Sequence, residues 1–137
     1  MLTGSIDLAF QCSADRRWYV ADYKTNRISV QPPPGVRERI SIPACYEVGP
    51  MQAEMDRHAY YLQLHLYLVA LHRLLESRLP GYRYDKDVGG ALYLFVRGME
   101  GPGTTSAHGH SRGVYFLRPD GALIESLSEA LSPWRNP

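Results

Sequence analysis

Between Pro50 and Pro80 the chain runs without a proline or a glycine. A segment of that length reads as helix, and residues 51–79 would span roughly 43 Å at 1.5 Å per residue. From Tyr60 to Leu75 it is apolar on nearly every side, so the helix is expected to pack on more than one face. The rest of the chain must supply those faces. With 137 residues and 45% hydrophobic content, it suffices for one ordinary core without disulfide or metal staples.

Strand patterns flank the helix. Near the N-terminus Ile6, Leu8 and Phe10 alternate with Asp7 and Ala9, which predicts a strand over residues 2–10. Residues 12–17 are turn-like. Residues 18–24 read as the returning strand of a hairpin, with Trp18, Val20, Asp22 and Lys24 on one face and Tyr19, Ala21 and Tyr23 on the other. Residues 26–50 are irregular, with the Pro32-Pro33-Pro34-Gly35 run at their centre and a short edge strand expected over residues 40–42. After the helix come a linker over residues 81–87 and a buried strand over 89–96. A loop over 98–113, a strand over 114–117 and a helix over 120–131 capped by Asp120 complete the chain. The order hairpin, helix, strand, loop, helix places the fold in the α/β or α+β class.

Composition removes several functions. The net charge of +1 gives no global basic field, so a nucleic-acid partner must meet a local patch. Arg16, Arg17, Lys24, Arg27, Arg37 and Arg39 give the N-terminal third such a bias, although a solvated charged face explains them equally well. Cys12 and Cys45 are too few for a disulfide scaffold or a four-cysteine metal site, and read as inert thiols in a reducing, cytoplasmic setting. No signal peptide, membrane span or phosphate-binding P-loop is visible.

Two acids and a lysine stand out. Asp is disfavoured in strand interiors, yet Asp7 and Asp22 sit on consecutive strands. Local rules broken in this way concentrate at functional sites. If both carboxylates project onto one face they can bracket a hard divalent cation such as Mg²⁺, with Lys24 beside it to act on an attacking water. The plain alternative is a solvated Asp22–Lys24 pair with Asp7 as an edge residue, and spacing alone leaves both open.

The wider string is more specific. Gly4-Ser5-Ile6-Asp7-Leu8 followed by Tyr19-Val20-Ala21-Asp22-Tyr23-Lys24-Thr25-Asn26 resembles the PD-(D/E)xK nuclease superfamily. Gln63-Leu64-His65-Leu66-Tyr67 matches the Gln-x-x-x-Tyr of its RecB-like branch. Residues 70–75 and 89–99 are similar to the stretches that follow in the C-terminal nuclease domains of that branch, the beta subunits of exodeoxyribonuclease V.

The resemblance implies a restriction-endonuclease-like mixed sheet flanked by helices. It implies metal ligands at Asp7, Asp22 and the Tyr23 carbonyl, a catalytic lysine at Lys24, and site-lining Gln63 and Tyr67. It further implies Mg²⁺, with Mn²⁺ as a substitute, and single-stranded DNA as substrate. The partners implied are a helicase region of the parent chain and RecC-like and RecD-like subunits, in double-strand break repair and recombination. The family also has an upstream helix with a metal-binding His and a preceding strand, so residues 1–137 are expected to be a partial nuclease domain lacking that helix. The rival from another class is a non-catalytic DNA- or protein-binding module on the same fold.

Other candidates are weaker. His58, His65 and His72 recur every seven residues, which suggests a polar seam more than a zinc stripe. His108-Gly109-His110 reads as loop, and residues 32–35 have no assigned role.

Overall fold

A computed structural model describes residues 5–29, 34–35, 37, 41–101 and 111–132. Four strands form one mixed sheet in the order β1 (Leu8–Gln11), β2 (Trp18–Lys24), β3 (Val88–Phe95), β4 (Val114–Leu117). β1 and β2 are an antiparallel hairpin pairing Leu8 with Ala21, β2 runs parallel to β3 with Asp22 beside Tyr93, and β3 and β4 are antiparallel. The parallel pair requires a long crossover. It is supplied by helices α1 (Val48–Arg57), α2 (Tyr60–Arg78) and α3 (Tyr84–Asp87); α4 (Gly121–Ala130) follows the sheet. This is the α/β class, with a mixed sheet and flanking helices.

The helices cover the sheet face that carries Val20, Ala91, Tyr93 and Phe95, all fully buried. Met51 and Met55 of α1, Leu64, Leu68, Leu71 and Leu75 of α2, and Ile124 of α4 join them in one cluster. α2 is therefore packed between the sheet and α4, which accounts for its nearly all-round apolar character. Register puts Leu8, Tyr23 and Phe116 on the opposite sheet face, each more than a third exposed.

Strand bounds over residues 18–24 and 114–117 agree with the sequence reading, and Asp120 caps α4 by accepting a hydrogen bond from the Ala122 amide at 3.1 Å. Four expectations need correction. The single helix over residues 51–79 is two helices, broken at His58 and Ala59, where Ala59 adopts φ 52°. α1 also starts before Pro50, which fits in a first turn because the N–H it lacks would have no intrahelical partner. In the linker 81–87, Asp87 accepts from the Arg83 amide at 2.8 Å and buried Tyr84 anchors to the Pro119 carbonyl at 3.1 Å, which closes the short α3. β1 begins at Leu8 rather than Leu2 among the described residues, and Ser41 and Ile42 form no strand. Leu2, Pro32, Pro33, Arg39, Ile40 and His108-Gly109-His110 lie outside the described residues.

The irregular stretch after β2 is held by Tyr46. Its hydroxyl accepts from the Ile28 amide at 3.3 Å, its carbonyl accepts from the Gly113 amide at 2.9 Å, and its ring fills the space where a Gly98 side chain would stand.

Candidate active site

Asp22 and Lys24 alternate with Tyr23 on β2, so both point toward the helices while Tyr23 points away. Asp22 is 4% exposed and Tyr23 49%. Asp7 lies one residue before β1. Continuing the pairing of Leu8 with Ala21 sets Asp7 opposite Asp22, and side chains opposite one another in an antiparallel pair share a face. The Tyr23 amide donates to Asp7 Oδ2 at 3.0 Å and ties the free end of β1 to β2.

Facing the acids, α2 presents Gln63 and Tyr67, one turn apart. Four side chains close a circuit. Lys24 Nζ donates to Gln63 Oε1 at 3.1 Å, Gln63 Nε2 donates to the Tyr67 hydroxyl at 2.6 Å, and that hydroxyl donates to Asp22 Oδ1 at 3.3 Å. Asp22 Oδ2 meets Lys24 Nζ as an ion pair at 2.5 Å.

The electrostatics show the same convergence. Burial, followed by the charge of Asp22, raises the Tyr67 phenol above the ordinary tyrosine range, against the opposing Gln63 hydrogen bond; Asp7 adds a smaller push. Tyr93 is raised by burial and then by Asp22, with Asp7 again the weakest contributor. Both carboxylates thus act on the same two phenols.

The oxygen donors suit a hard cation. Asp22 Oδ2 is buried and receives no hydrogen bond, only the lysine's ion pair. A buried carboxylate oxygen in that state, with a second carboxylate one residue before the adjoining strand, suits a hard divalent cation, which takes carboxylates completed by water and phosphate oxygens. A cleft of about 710 Å³ opens alongside, lined by Ile6, His58, Tyr60, Gln63, Tyr67 and, farther along α2, Arg73.

The histidines do not form a stripe. The break in the long helix takes His58 off the α2 repeat and sets it against Glu54 at 3.0 Å. His65 Nδ1 lies 2.6 Å from the Tyr61 carbonyl, and His72 is buried beside the Tyr82 hydroxyl at 2.9 Å. Among the described residues no group of three or more His, Cys, Asp or Glu is placed to hold a metal. Cys12 and Cys45 are free, with Cys45 buried.

Sequence reasoning missed Tyr93. Its ring lies 4.6 Å from Lys24 Nζ and its hydroxyl donates to Gln63 Oε1 at 2.5 Å. Alternation along residues 89–96 places it with Ala91 and Phe95, but only the parallel pairing of β2 with β3 sets it beside Asp22. Asn26 was missed as well. Its amide donates to Glu54 Oε1 and to the Tyr60 hydroxyl, both at 3.0 Å, behind the lysine.

Comparison with known proteins agrees with this geometry. Residues 1–131 match the PD-(D/E)XK nuclease superfamily. The RecBCD enzyme subunit RecB of Mycolicibacterium smegmatis is 38% identical over 130 residues, covering 95% of this chain and 11% of the relative. The subunit of the same name from Escherichia coli is 36% identical over 129 residues, covering 94% of this chain and 9% of the relative. That of Haemophilus influenzae is 36% identical over 127 residues, 93% of this chain and 9% of the relative. The chain therefore spans about a tenth of the length of these curated relatives. The family match over nearly the whole sequence, the mixed sheet and the facing acids and lysine have one common explanation: the chain belongs to the PD-(D/E)XK nuclease superfamily.

Proposed function

We propose that this chain is the nuclease portion of a longer RecB-type helicase–nuclease. It hydrolyses phosphodiester bonds of DNA, single strands above all, with Mg²⁺ as cofactor and Mn²⁺ as substitute. Its setting is the cytoplasm, in double-strand break repair and recombination, beside RecC-like and RecD-like subunits. The relatives' shared name, RecBCD enzyme subunit RecB, supports the assembly. Among the described residues no helix is long and apolar enough to cross a membrane. The observation that carries the reading is the closed circuit of Asp22, Lys24, Gln63 and Tyr67, with Asp7 just before the adjoining strand and bonded to the Tyr23 amide.

In this reading Asp7 and Asp22 supply carboxylate ligands and Tyr23 a backbone carbonyl. A cation held there would supply Lewis acidity toward the scissile phosphate and make a bound water more acidic. Lys24 orients that water and offsets charge on the phosphate. Gln63 and Tyr67 act through these groups, since an amide and a phenol are weak metal ligands but good partners for a ligand's neighbours.

The test is cleavage of end-labelled single-stranded DNA in Mg²⁺ or Mn²⁺, comparing residues 1–137 with a chain extended upstream as in the relatives. Metal-dependent cleavage lost in Asp22→Asn is expected. Full activity in that variant overturns the reading.

A further inference from the structure

We propose that Tyr60 and Tyr93 form an aromatic clamp that positions Lys24, holding its ammonium in place when the Asp22 carboxylate is engaged by metal. This rests on the nuclease reading above.

Lys24 Nζ lies 4.3 Å from the Tyr60 ring centroid and 4.6 Å from that of Tyr93. The two rings meet edge to face, 5.2 Å apart and inclined at 69°, and form two walls of a corner. A cation within about 6 Å of a ring centroid is attracted by the π face, the more so where water is excluded. Here the lysine side chain is only 13% exposed.

Each wall is braced. The Tyr93 hydroxyl lies 2.5 Å from Gln63 Oε1 and 3.2 Å from the Tyr60 carbonyl, so it orients the amide oxygen that accepts from Lys24. The Tyr60 hydroxyl accepts from Asn26 at 3.0 Å, and Asn26 also donates to Glu54, which is 5% exposed and bonded to Arg57 at 2.8 Å. Asp22 is the only anion paired with the lysine among the described residues. A metal ion that draws on this carboxylate weakens that pairing. Two ring faces and the Gln63 oxygen remain, and none of them is a strong metal ligand. Ordinary packing needs neither the hydroxyl bridge from Tyr93 to Gln63 nor two rings on one ammonium. Tyr60 and Tyr93 are thus positioning residues that act through Lys24.

The chain has two lysines, Lys24 and Lys86, and the latter side chain is 68% exposed. NMR of ε-labelled lysine, without metal or DNA, therefore gives Lys24 an internal reference. Ring-current shielding should place its ε-protons upfield of those of Lys86. Tyr93→Leu and Tyr60→Leu should each move them toward Lys86, and Tyr93→Phe should keep them shielded. In cleavage assays of the upstream-extended chain, the leucine variants should lower kcat about 10–100-fold at unchanged KM, and Tyr93→Phe, which keeps the ring but loses the hydroxyl bridge to Gln63, should lose less than Tyr93→Leu. Because Tyr93 is fully buried, a leucine there that fails to fold leaves the decision to Tyr60→Leu. Coincident lysine signals in the wild type overturn the clamp, as does unchanged kcat in a folded leucine variant. A shielded Lys24 together with an upstream-extended wild-type chain that cleaves nothing instead overturns the nuclease reading and leaves the clamp standing.

Discussion

Gln63 and Tyr67, one turn apart on α2, are joined by a hydrogen bond of 2.6 Å from amide to phenol, and through it the lysine and the buried acid of β2 are held by a single helix face. Removing either member opens the circuit without removing a charge. Gln63→Ala and Tyr67→Phe should therefore each weaken cleavage about 10–100-fold, the usual cost of losing a partner of a metal ligand. Cleavage rate against Mg²⁺ concentration, with circular dichroism as folding control, measures this. Wild-type rates in both variants would return the pair to ordinary helix packing.

The acids should respond differently from one another. Asp22→Asn removes the buried charge that pairs with Lys24, and should abolish metal-dependent cleavage. Asp7→Asn keeps an oxygen that can accept from the Tyr23 amide, so the end of β1 should stay in place while the proposed cation ligand loses its charge. Its expected signature is a raised Mg²⁺ requirement with an unchanged thermal midpoint. An unchanged Mg²⁺ requirement would take Asp7 out of the metal site.

The hairpin was legible in the sequence because period-two alternation fixes side-chain direction locally, whereas Asp7, Asp22 and the Gln63–Tyr67 pair stood out as one site only through the family resemblance, since spacing alone left a solvated pair and ordinary helix packing open. The lysine's surroundings were not legible. Tyr93 reaches Lys24 only through the parallel pairing of β2 with β3, and strand order is not written in either strand's own pattern. The break at His58 and Ala59 was hidden too, since no glycine or proline marks it. It coincides with a long-range contact that no local pattern shows: Asn26 donates to Glu54, which also pairs locally with Arg57 and His58 at the end of α1, and beyond the turn the Tyr60 ring lies against the lysine.

Alkali should unfold the protein cooperatively. Burial raises the phenols of Tyr67, Tyr82, Tyr84, Tyr93 and Tyr115, with Tyr84 pushed up to about 12; Tyr19 is raised chiefly by its hydrogen bond to Asp15. A folded-state value above the unfolded one means that the native state holds the proton more tightly. The stability this gives is complete below the unfolded tyrosine value near pH 10, and is lost as pH rises through the folded values. Urea midpoints should therefore fall between about pH 10 and 12, with these phenols ionising together as the fold is lost. Ten tyrosines titrating independently near pH 10 in a folded chain would contradict the burial pattern.

Ala59 tests the helix break by itself. Its φ of 52° is left-handed, a region that costs an alanine roughly 1–2 kcal/mol and a glycine almost nothing. Glycine also loses more backbone entropy on folding, roughly 0.5–1 kcal/mol against alanine. The strain is the larger effect, so Ala59→Gly should stabilise the chain by about 0.5–1 kcal/mol. Ala59→Val, branched at Cβ, should destabilise it by more than that, because bulky side chains tolerate this region least. Urea denaturation at neutral pH measures both. The valine variant should also cleave more slowly than its stability alone explains, because forcing Ala59 toward helical angles rotates Tyr60 off Lys24. A glycine variant less stable than the wild type would show that the left-handed turn carries no strain.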